Sequence, residues 1–113
     1  MDGEIVYLAI VFSDPDPNIM LYRFELACRA AAELMDEGYI VFSPISHSYP
    51  IAKHLGKMTD HDFWMRQDVP FLDICSEMIV VDDPLGAWQH SKGVQEEINY
   101  CVQHDIPWSV RRF

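Results

Sequence analysis

The sequence predicts an α/β fold, a three-layer sandwich in which helices cover both faces of a parallel sheet of four to five strands. Three observations carry this. Short apolar runs alternate with longer stretches of helical periodicity as β-α-β-α-β-α-β, and that alternation implies parallel strands joined by right-handed crossovers. The 113 residues suit one domain, since about 100–150 is the commonest size. Half of them are hydrophobic, enough for a substantial core. No repeat, low-complexity tract or linker divides the single domain, 1–113.

The first strand is EIVYLAI (4–10), stopped by FSDPDPN with its two prolines and acidic turn formers. NIMLYRFELACRAAAELMDEGY follows, where Met20, Phe24, Ala27, Ala31 and Leu34 recur at steps of three or four and draw a helical stripe. Gly38 ends that helix, as glycine often does. YIVFSP (39–44) is the second strand, stopped by Pro44. ISHSYPIAKHLGKMTD, from Ile45 to Asp60, reads as an irregular surface or lid segment. Thr59 or Asp60 then caps a helix that runs to about Ser76, kinked or split at Pro70. EMIVVD (77–82) is the third strand and DDPLGAWQH a loop. Ser91 caps a last helix to about His104, and IPWSVRR (106–112) is the last strand.

For so short a chain the expected strand order is 2-1-3-4, as in flavodoxin-like folds. Ligands of such sheets bind at the switch point, beyond the C-terminal ends of strands 1 and 3. The loops there are VFSDPDPN and DDPLGAWQHS, and the second leads into HSKGVQEEI with its adjacent Glu96 and Glu97. Neighbours on a helix stand about 100° apart, so the two carboxylates cannot share a direction. Val94, Ile98, Cys101 and Val102 define the face toward the sheet; Glu96 lies nearly opposite, on the solvated side. Glu97 falls at the edge of the buried stripe, where a carboxylate loses solvation and needs a partner or a task. The plain alternative is a flank carboxylate that reaches water or pairs with Lys or Arg. On the preceding helix Asp68 shares a row with Leu72 and Cys75, while Asp73 does not. Two half-buried carboxylates on neighbouring helices suit an acid and a nucleophile acting at an anomeric carbon.

These residues carry a resemblance. YLAIVFSDPDP, GYIVFSPISHSYPI, DFWMRQDVPFLDICSEMIVV and GAWQHSKGVQEEI, taken in order and spacing across nearly the whole chain, resemble the nucleoside 2-deoxyribosyltransferase-like superfamily, and more closely a branch found in bacteria and phages. The most specific element is Ser-x-Gly-x-x-x-Glu, here Ser91, Gly93 and Glu97. The resemblance implies cleavage or exchange of the N-glycosidic bond of a (deoxy)nucleoside or nucleoside 5′-monophosphate. It implies that Glu97 is the nucleophile, that Tyr7 contacts it, and that Asp68 handles the base and its proton. It also implies a homo-oligomer in which a neighbour helps close the pocket. Ser91 matches relatives that act on 5′-monophosphates, yet FSDPDPN lacks their glycine-rich phosphate cradle, so substrate choice stays open.

Further candidates are weaker. Ser13 is a hydrogen-bond donor at the switch point or a simple turn serine. His47 lines the crevice after strand 2 or is an ordinary loop histidine. Trp88 stacks on ligand or stays structural, and Trp64 reads as core. Arg23 pairs with an acid or reaches a phosphate. His47, His54, His61, His90 and His104 match no zinc spacing, so no metal is expected. Cys28, Cys75 and Cys101 are too scattered for a disulfide framework and read as buried thiols. No cofactor is expected, because the loops lack the Ser/Thr/Gly run of a flavin site. A net charge of −10 disfavours a nucleic-acid polymer as partner but permits one small nucleotide in a local pocket. The start MDGEIVYLAI lacks a basic signal segment and no apolar run nears the roughly 20 residues of a membrane span, so a soluble cytoplasmic protein is expected. Tyr49, Ile51, Leu55 and Met58 load the 45–60 segment with apolar surface. They suggest a two-fold dimer through the helix of Phe63, Trp64 and Asp68, or a lid folded over the chain's own site. The rival to an enzyme is a nucleotide-binding or sensing module on the same fold.

Overall fold

The computed structural model describes residues 4–56 and 60–113. Four strands, β1 (Ile5–Ala9), β2 (Ile40–Phe42), β3 (Glu77–Val81) and β4 (Trp108–Arg111), form one sheet in the order β2-β1-β3-β4. Every pairing is parallel, with Tyr7 opposite Phe42 on one side and Met78 on the other. The fold is therefore the α/β sandwich expected, with four strands and a switch point between β1 and β3.

The period-2 alternation of the strands builds two cores. Val6 and Leu8 of β1 with Ile79 and Val81 of β3 face α1 (Pro17–Asp36), meeting Leu26, Ala27, Ala30 and Leu34. Tyr7 and Ala9 with Met78 and Val80 face the other way, onto Leu72 of α3 (His61–Ile74) and Val94, Ile98 and Cys101 of α4 (Lys92–Gln103). That second face is the one that matters for chemistry, because it turns the Tyr7 ring toward both carboxylate-bearing helices.

Each helix starts where its sequence supplies a cap. The Asp16 side chain accepts from Asn18 N–H (2.8 Å) and Pro17 takes a first-turn position where its missing N–H is no loss. Asp60, rather than Thr59, caps α3 by accepting from Phe63 N–H (2.9 Å); Thr59 lies outside the described residues. Ser91 caps α4 by accepting from Val94 N–H (3.2 Å). Gly38 at φ 102° closes α1 in the left-handed conformation open to glycine.

Three sequence expectations fail, and a fourth is narrowed. The supposedly irregular segment begins with a helix, α2 (Pro44–Ala52). Pro44 sits in the first turn, where proline is tolerated, and Tyr49 stacks on Phe24 of α1 (4.6 Å between centroids). Of the kink or split expected at Pro70 the split does not occur, and α3 runs through Pro70 as one helix of 14 residues. Val102 is 62 % exposed: at 100° per residue it stands roughly 70° from the centre of the Val94–Ile98–Cys101 face, about as far as Glu97 does on the other flank. Of these two flanking positions it is Glu97 that is buried. Cys28 is only partly buried, with its thiol on Ser46 Oγ (3.3 Å). Among the described residues no helix is long and apolar enough to cross a membrane.

Candidate active site

A cavity of about 710 Å³ opens beyond the C-terminal end of β1, walled by the β1 loop, α2, α3 and the first turns of α4. Its depth is set by Glu97, one and a half turns into α4, and by Asp68 in the middle of α3. The Tyr7 hydroxyl, rising from the sheet, donates to Glu97 Oε2. Strand alternation thus fixes the donor and helix periodicity fixes the acceptor. Helix periodicity is the argument that separated Glu97 from Glu96 and Asp68 from Asp73. Asp73 in fact points the other way, near the C-terminal end of α3, where its carboxylate accepts from Tyr100 (2.6 Å).

Burial governs the protonation of this cluster. Loss of water pushes the Glu97 carboxyl up to about 8; the Tyr7 hydrogen bond pulls it back and the nearby Asp68 charge raises it. Burial pushes Asp68 up to about 6. Tyr7 is held well above the ordinary phenol value, by burial first and then by Glu97, so it stays a donor. Near neutrality the two carboxyls together therefore retain about one proton, which is what acid–base work at an exchangeable bond requires. Burial also lifts the Cys75 and Cys101 thiols to about 11, leaving them unreactive packing groups.

Ser91 and Gly93 line the same cavity, as their motif spacing suggested. Ser13 lines it too, but its hydrogen bond is made by the carbonyl, which accepts from Arg23 Nη1 (3.0 Å). Arg23 is almost fully buried and donates to the Phe12 carbonyl as well (3.2 Å), with Asp14 at 3.9 Å, so it ties down the β1 loop. Two expectations are corrected. His47 is absent from the cavity wall: on α2 it turns toward Phe42 and Phe71 and lines a separate groove of about 210 Å³. Trp88 also lies outside the cavity, because the short 3-10 turn Ala87–His90 packs its ring on the Tyr7–Met78 core. Trp64, read as core, is a half-buried wall residue of both hollows.

Sequence reasoning missed His61. It lines the cavity, and its Nε2 donates to Glu96 at 2.6 Å, so Glu96 is not the free surface carboxylate its helix angle suggested. That hydrogen bond holds Glu96 below the usual carboxylate range. The signal was present: His61 precedes Asp68 by seven residues, two turns along one face of α3. Among the described residues no three His, Cys, Asp or Glu side chains converge as a metal site.

A comparison with curated proteins finds none that matches. A family match does cover the cavity, the sheet and every residue discussed above: residues 4–111 match the family described as a domain of unknown function (DUF1937), and the chain belongs to that family.

Proposed function

We propose that this protein is a cytoplasmic enzyme that cleaves or exchanges the N-glycosidic bond of a nucleoside or nucleotide, with Glu97 as nucleophile. The observation that carries the reading is the buried Glu97 carboxyl on the cavity floor, fixed by the Tyr7 hydroxyl and electrostatically coupled to Asp68. A merely structural carboxylate gains nothing from such burial, which penalises its charge. In the proposed first step a carboxylate oxygen of Glu97 forms a bond to the anomeric carbon. The bond from that carbon to the base nitrogen breaks, its electron pair stays with the base, and Asp68 supplies the proton. Positive charge developing on the sugar favours ionisation of Glu97, so the shared proton moves to the side where it is used. Water or a second base then attacks the anomeric carbon, Glu97 leaves as carboxylate, and Asp68 takes up the released proton.

A second reading, a nucleotide-binding module without turnover, is favoured by one feature: burial keeps Glu97 largely protonated in the resting site. The test is a panel of nucleosides and 5′-monophosphates incubated with the protein, with released base followed by chromatography. Base release that disappears in Glu97→Gln supports the enzyme. Tight binding with no release from any compound overturns it in favour of the binding module.

A further inference from the structure

α1 packs on the face of the sheet that looks away from Tyr7, and its buried row is apolar except at one position. Leu26, Ala27, Ala30, Ala31 and Leu34 share that row with Arg23, which is 5 % exposed and borders the large cavity. A guanidinium removed from water needs compensation. Asp14 stands 3.9 Å away, and among the described residues no other carboxylate forms an ion pair with Arg23. The compensation comes from the backbone: Nη1 donates to the carbonyls of Phe12 (3.2 Å) and Ser13 (3.0 Å). An apolar side chain of similar length would fill the same space without carrying a charge out of water, so stability gives little reason for an arginine here.

The two bonds orient the loop. In a trans peptide the carbonyl and the N–H that follows it point in opposite directions. With the Phe12 and Ser13 carbonyls turned onto Nη1, the N–H groups of Ser13 and Asp14 face away from the guanidinium. Neither meets an acceptor among the described residues. The next residue of α1, Phe24, holds a second wall: Tyr49 of α2 stacks on it (4.6 Å), and the Phe12 ring meets Tyr49 edge-on (5.4 Å). Consecutive residues of α1 thus hold the β1 loop and α2, two walls of the cavity. We propose that Arg23 is a positioning residue. From the far face of the sheet it fixes the 10–14 loop, and with it the direction of the Ser13 and Asp14 N–H donors, in the shape that receives the ligand. The proposal rests on the glycosidic reading above. The Tyr7–Glu97 pair belongs to β1 and α4 rather than to this loop, so binding and chemistry should separate.

The test compares base release by the parent, Arg23→Met and Arg23→Lys. Methionine fills the space but donates nothing. KM should therefore rise about ten-fold or more, while kcat stays within about two-fold and both limbs of the pH profile keep their places. Arg23→Lys, slightly shorter but with three hydrogens to donate, should recover most of the loss. A side chain needed only for packing would be replaced better by methionine than by lysine. An unchanged KM in Arg23→Met, a fall in its kcat beyond about two-fold, or no recovery in Arg23→Lys overturns the proposal. Should Arg23→Met fail to fold, Arg23→Gln, whose amide stops well short of the two carbonyls, takes its place in the same comparison. If the parent binds a nucleoside or a monophosphate but releases no base, the glycosidic reading fails alone. Calorimetric affinities then carry the comparison, and equal affinity for parent and Arg23→Met overturns the positioning role. If nothing binds, both fall together.

Discussion

At the scale of single residues, the cluster of Tyr7, Asp68 and Glu97 makes its own pH dependence. With Asp68 near 6 and Glu97 near 8, the state holding one shared proton is most populated between those values. Base release is expected to follow a bell over that range, and a flat profile from pH 5 to 9 would remove the pair from the mechanism. Tyr7→Phe deletes the hydrogen bond that pulls Glu97 down, so the alkaline limb should move to higher pH while turnover falls ten-fold or more. Stability carries the same signature. The folded-state value of Glu97 lies above its unfolded one, so folding binds a proton; the contribution is full at low pH and is lost as pH rises through about 8. The unfolding free energy of the parent, read from urea titrations, should fall between pH 5 and pH 8, by at most about 1.4 kcal/mol per pH unit for this one group. Glu97→Gln, which cannot ionise, should flatten that fall. A variant that tracks the parent across the range would show that Glu97 is not buried as described. Much of this cluster was legible in the sequence, because helical periodicity is enough to place Glu97 and Asp68 on inward rows. The His61–Glu96 pair was not, since it joins two helices whose relative placement no single-helix argument contains.

Among the elements, α4 combines support and recognition within its first two turns. Ser91 caps it, Gly93 leaves the cavity wall open beside His61, and Glu97 follows on the same face. The two roles of Gly93 are separable by substitution. A methyl there meets nothing closer than 3.7 Å, so Gly93→Ala folds without a clash, and relief of glycine's backbone freedom should stabilise α4 by about 0.4–1 kcal/mol. The same methyl fills the space between His61 and Ser91. Gly93→Ala should therefore melt slightly higher and bind nucleoside at least ten-fold more weakly; a thermal scan beside calorimetry reads both. Equal affinity for parent and variant would show that the substrate avoids this turn. α2 marks the opposite case, an element hidden from sequence reasoning. Its own propensity is poor, with Pro44 and Pro50 among nine residues, and its order comes from Tyr49 packed on Phe24 and edge-on to Phe12. Tertiary packing overrides local preference there, and local preference is all a sequence displays.

For the whole molecule, apolar side chains remain exposed on α2 and α3. Ile74 is 67 % exposed, Ile51 45 % and Phe71 40 %, and Ile51 and Phe71 border the 210 Å³ groove that shares Asp68 with the larger cavity. Tyr49, one of the side chains that first suggested an interface, is turned inward onto α1, and Met58 lies outside the described residues. The surface that remains is thus narrower than the sequence suggested, but it sits against the proposed site. A two-fold axis through α3 would cover these three side chains and back the wall that holds Asp68. We expect light scattering at micromolar concentration to give twice the 13.1 kDa of one chain. Ile74→Glu, which places a charge at the most exposed of the three positions, should return the mass to a single chain and weaken base release without unfolding the monomer. At the other edge, Trp108 and Val110 of β4 are also partly exposed and serve as the control. Dissociation by Val110→Glu in place of Ile74→Glu would move the interface to β4. A parent mass of one chain would leave the cavity to be closed by α2 alone, the helix already packed against α1 at its mouth.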